Sequence, residues 1–218
     1  FLLCFSREVA KALIIDAAAG WDRKDDVSCS IGYGVVPQRI EDIVKTPDDE
    51  IRFVMMGTTD AYETYTYRIP VPIYNDKQPF YARATLCYFP KCVRDQGVDY
   101  TTTEMDIHFG RVKEKGGKAV IASINSNSQG DDGGCHLHEP EARQLYRKWD
   151  NVKLISEELK ERAVPRKVYG AGMWGLSIKT KERLQEKNGR GLSFGVVVTL
   201  KEMYGENRID DFIKLCML

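Results

Sequence analysis

The densest cluster of side chains able to do chemistry is Cys135-His136-Leu137-His138-Glu139. A thiolate and two imidazoles are ligands for a divalent transition metal, and Cys135 with His138, or His136 with His138, can share one ion. A structural metal site needs a second pair at ligand spacing, such as C-x-x-C or H-x-x-x-H, and the chain has none. The cluster is therefore expected to be a polar loop, with no metal and no cofactor. A hydrolase needs a nucleophile, a base within reach and a group that orients the base. The remaining histidine, His108, alternates with Glu104 and Asp106 in a strand-like stretch, and all three are expected to face solvent. Gly57-Thr58-Thr59-Asp60 joins two strand-like stretches instead of opening a helix, so it is read as a polar turn and not as a nucleophile. Asp16, alone on an apolar helix, is a candidate buried carboxylate, with membership of a local polar network the plainer role. No catalytic, cofactor-binding or metal-binding residue is assigned.

Glycine-rich strings do not change this. Gly32-Tyr33-Gly34 lacks the third glycine and the strand-turn-helix setting of a dinucleotide site, while Gly170-Ala171-Gly172 and Gly189-Arg190-Gly191 read as a bulge and a turn. Trp21, Trp149 and Trp174 are expected to be core or interface anchors. Tyr62, Tyr65 and Tyr67 crowd one strand pair; cross-strand packing is the plainer account and an exposed binding surface the other.

The bulk properties narrow the class. Lys+Arg and Asp+Glu both count 32, so the 218-residue chain is neutral, which argues against nucleic acid as the main partner. No apolar run approaches the length of a membrane span. The chain can bury a core large enough to fold without staples. Cys4, Cys29, Cys87, Cys92, Cys135 and Cys216 are scattered and read as thiols of a cytoplasmic protein, Cys87 and Cys92 being the pair best placed to meet. Phe1-Leu2-Leu3-Cys4-Phe5 has no basic flank and no cleavage site after it, so it does not read as a signal peptide. A start inside an apolar stretch, without an initiator Met, reads as a start within a longer protein.

The elements that must position these groups fall into two zones. Ser6 to Gly20 is a helix, with Ser6 as N-cap, Glu8 in the first turn, and Val9, Leu13, Ile14 and Ala17 on one stripe widened by alanines. So much alanine implies close approach to a neighbour. Gly32 and Gly34 allow backbone angles that other residues resist, and Pro37 precedes a short helix over Gln38 to Lys45. From Glu50 the period becomes two. Strands are expected over Ile51–Met56, Tyr62–Ile73 (an edge, given Pro70 and Pro72), Phe80–Phe89, within Asp99–Val112, Val168–Thr180 and Leu192–Glu202. Asn125 to Gly134 reads as a polar insertion, Glu139–Tyr146 as a helical turn and Arg208–Leu218 as an amphipathic helix. The expected fold is mainly β: an antiparallel β-sandwich, jelly-roll-like, preceded by helices.

Ala10-Lys11-Ala12-Leu13-Ile14-Ile15-Asp16-Ala17-Ala18, a loop, and Ile31-Gly32-Tyr33-Gly34-Val35-Val36 resemble the end of a subtilisin-like (S8) serine protease domain. The later part resembles the β-rich C-terminal extension of a bacterial subtilase group, through Arg68-Ile69-Pro70-Val71-Pro72, Thr85 to Pro90, Trp149-Asp150-Asn151-Val152 and Trp174-Gly175-Leu176. The resemblance implies two parts: residues 1–48, a remnant of an α/β catalytic domain, and residues 49–218, a β-sandwich domain. The family's Asp, His and Ser motifs and its oxyanion Asn match nothing here, so the implied role is non-catalytic: stability, or binding of peptide or protein substrate. The implied partner is the upstream catalytic domain of the same protein, with homodimerisation through the N-terminal helix also expected. The competing expectation is a stand-alone β-sandwich interaction module whose helices are its own packing elements. A third reading is a metal hydrolase using Cys135, His136 and His138.

Overall fold

The computed structural model describes residues 6–18, 33–60, 63–69, 80–93, 95, 101–116, 118–123, 151–159, 174–182 and 191–202. Its elements are α1 (Arg7–Ala18), α2 (Ile40–Val44), β1 (Glu50–Thr59), β2 (Thr64–Ile69), β3 (Phe80–Tyr88), β4 (Thr103–Lys115), β5 (Lys118–Ser123), β6 (Val152–Leu159), β7 (Trp174–Glu182) and β8 (Leu192–Glu202). The strands form two four-stranded antiparallel sheets, in the orders β1-β8-β3-β6 and β2-β7-β4-β5. The fold is a β-sandwich.

Side-chain alternation builds its core. Ala82, Ala84, Leu86 and Tyr88 of β3, Val196, Val198 and Leu200 of β8, Met105, Ile107 and Phe109 of β4, and Leu176 and Ile178 of β7 meet between the sheets. Trp174 is a core anchor, its ring 5.2 Å from that of Phe109 and 5.9 Å from that of Phe80. Tyr65 and Tyr67, two apart on β2, reach across the sandwich to Phe194 of the other sheet at 5.9 and 6.5 Å between centroids, so the contact is between sheets and not between paired strands, and Tyr65 stays partly exposed. Two strands, β5 and β6, are additions to the expected set. β5 pairs with β4 through a turn at Gly116, and β6 pairs with β3 along its whole length.

A second core lies on the outer face of the first sheet. There Val9, Ala12, Leu13 and Ile15 of α1 meet Cys87, Val152 and Val197, with Ile43 of α2 and Tyr33 at the margin. A 12-residue helix is marginal in water by itself. Fully burying Val9, Leu13 or Ile15 stabilises by about 1.5–3 kcal/mol each, so the sheet supplies what propensity does not. The buried stripe is rotated from the expected one: Ala12, Ile15 and Asp16 face the sheet, while Ile14 is exposed. The polar groups beneath Asp16 set that rotation.

Ser6 is the N-cap, its Oγ accepting a hydrogen bond from the Val9 amide at 3.3 Å. Gly34 has φ 128°, in the region that favours glycine. The short helix is tighter than the expected Gln38 to Lys45 span, and Arg39 closes on Asp42 through its Nε and Nη2 at 3.0 and 2.9 Å. Cys4, Trp21, Cys29, Gly32, Tyr62, Pro70, Pro72, Cys135, His136, His138, Trp149, Gly170 to Gly172, Gly189, Arg190 and Cys216 lie outside the described residues, as do the polar insertion, the 139–146 turn and the C-terminal helix.

Candidate functional site beneath the first helix

Asp16, in the last turn of α1, is 3 % exposed and meets the outer face of the first sheet. Alternation along β3 and β8 aims Arg83, Thr85 and Thr199 at it, since these residues point away from the inter-sheet core. Thr199 Oγ1 donates to Asp16 Oδ2 at 2.7 Å and Thr85 Oγ1 to Oδ1 at 3.2 Å. Arg83 lies 4.0 Å from Oδ1 and donates from Nη1 to the Asp16 backbone carbonyl at 3.0 Å. That second bond satisfies a carbonyl at the end of α1 and sets a cation where the helix dipole favours one.

Arg52 of β1 extends the cluster. Its Nε is 3.7 Å from Asp16 Oδ2, its Nη2 is 3.6 Å from Glu50 Oε2, and its Nη1 donates to the Ile43 carbonyl of α2 at 2.7 Å. Lys201 then reaches both Asp49 and Glu50 at 3.2 Å. Asp16, Arg83, Arg52 and Glu50 are a buried set of two anions and two cations that joins both helices to β1 and β3, and Thr199 adds β8.

Burial pushes the Asp16 carboxyl above its ordinary range, while Arg83, Thr199, Arg52 and Thr85 pull it back, and the net direction is upward. A carboxyl whose folded pKa is raised binds its proton more tightly in the folded state. Its contribution to stability is complete below the unfolded value near 3.8 and is lost as pH rises through the folded value. The difference in unfolding free energy between the wild type and Asp16→Asn, followed by urea titration from acid to neutral pH, is therefore expected to shrink as pH rises. A flat or growing difference contradicts that sign.

The geometry makes Asp16 a holding group. Both carboxylate oxygens accept from threonine hydroxyls and solvent does not reach it, so it cannot exchange a proton with a substrate as a general base must. Gly195 completes the seat. A Cβ there would stand 2.4 Å from the Val9 nitrogen and 2.6 Å from the Glu8 carbonyl carbon, so only glycine lets α1 lie this close to β8. At the other end of the helix, Arg7 and Lys11 cover the Phe89 ring at 4.7 and 5.3 Å, and Lys11 Nζ donates to Asn151 Oδ1 at 2.6 Å.

The other candidates do not assemble. His108 is exposed opposite Ser177, while the Asp106 carboxylate is engaged by Lys181 and that of Glu104 by Lys153 at 3.1 Å. Thr58 and Thr59 end β1 with their hydroxyls near Ser193 Oγ and Thr180 Oγ1, at 3.3 and 3.4 Å. Gly191-Leu192-Ser193-Phe194-Gly195 has the G-x-S-x-G spacing of a nucleophile elbow. It runs into and along β8, with no strand-turn-helix, and Ser193 faces Thr58 across the ladder. Cys87 and Cys92, the expected pair, are separate thiols: Cys87 is buried under α1 and Cys92 is exposed beyond the end of β3. Among the described residues no three His, Cys, Asp or Glu side chains are placed to hold a metal, and no helix is long and apolar enough to cross a membrane.

Sequence reasoning singles out Asp16 but misses Arg52, Arg83 and Gly195. A signal exists for each. An arginine on the polar face of an otherwise apolar strand asks for a partner, and a lone glycine inside Ser193-Phe194-Gly195-Val196-Val197 marks a close backbone approach.

No protein-family model and no curated protein matches the chain. Among solved structures, the tomato aspermy virus structure is similar at 10% identity and TM-score 0.28, over 78% of this chain and 85% of that one. Dimeric latent PorU from Porphyromonas gingivalis is similar at 10% identity and TM-score 0.25, over 71% of this chain and 13% of that one.

Proposed function

We propose that this chain is the non-catalytic C-terminal part of a subtilisin-like serine endopeptidase, in which residues 1–48 supply the last helical layer of the protease core and residues 49–218 a sandwich that holds it. The observation that carries this reading is the seat of α1. A strand glycine, two threonine hydroxyls and two arginines are committed to fixing one helix to the sheet. That arrangement fits a scaffold that braces a helical layer and does not itself cut. The strand orders 1-8-3-6 and 2-7-4-5 support reading the sandwich as a jelly roll, two interleaved four-stranded sheets.

The same seat favours a second reading, a stand-alone β-sandwich interaction module, because α1 finds its packing partner within this chain. One experiment separates the two. Extract of the native host is labelled with a fluorophosphonate, and an antibody to the sandwich recovers whatever carries it. The first reading expects a labelled species longer than 218 residues, while the isolated chain stays unlabelled and leaves casein intact. Recovery of an unlabelled 218-residue species selects the module. Labelling of the isolated chain contradicts both.

A further inference from the structure

We draw no further inference here: the strongest candidate, the exposed apolar patch of Val54 and Met56 on the outer face of β1 with Ile40 and Val44 of α2 beside it, carries nothing, because nothing among the described residues shows what covers it.

Discussion

Asp16→Ala is expected to lower the unfolding free energy by about 3–5 kcal/mol, the cost of removing one partner from a buried charge pair. The magnitude follows from what is left behind. Arg83, 1 % exposed, loses its carboxylate but keeps its burial, and the Thr85 and Thr199 hydroxyls lose their acceptor. Arg52 retains the Ile43 carbonyl and Glu50, so it is the less affected cation. An exposed pair would cost no more than about 1 kcal/mol. Urea unfolding decides between the two, and a loss at the smaller figure would mean that the seat of α1 is solvated.

Gly195→Ala is expected to cost about 3 kcal/mol, the upper end of the range for overpacking. The added methyl meets the backbone of Glu8 and Val9, not a flexible side-chain tip, so the N-terminal half of α1 must rise off β8. Lifting it also loosens Val9 and Leu13 from Val197. Because both substitutions loosen the same helix, Asp16→Ala and Gly195→Ala together are expected to cost less than the sum of their separate effects. Strict additivity in the urea midpoints would place the two residues in independent seats.

Much of this arrangement is legible in the sequence because alternation and capping are local. Phe80 to Phe89 divides into Ala82-Ala84-Leu86-Tyr88 against Arg83-Thr85-Cys87, and the structure puts the first set between the sheets and the second beneath α1. What alternation cannot reveal is that the polar face is covered too. Thr85, Arg83 and Thr199 look like solvent-facing residues until a helix lands on them, and the two threonine contacts join positions 69 and 183 residues apart along the chain. The stripe of α1 is misplaced for the same reason: Asp16 counts as polar by composition but has its partners in the sheet. β6 escapes notice because Val152-Lys153-Leu154-Ile155-Ser156-Glu157-Glu158-Leu159 breaks the period of two and carries three charges, as an edge strand does. β5 is a six-residue hairpin partner whose pattern is too short to separate from a loop.

The central claim is that α1 is a fixed part of the sandwich, held by Asp16 and Gly195. Amide hydrogen exchange over residues 7–18 of the full chain tests it most directly. The account predicts that the α1 amides exchange only with global unfolding, at the free energy read from β8, and that Asp16→Ala drops them to a lower, local opening energy while β8 stays protected relative to them. Exchange of the wild-type α1 amides near the rate of an unprotected peptide, with β8 still protected, would contradict it.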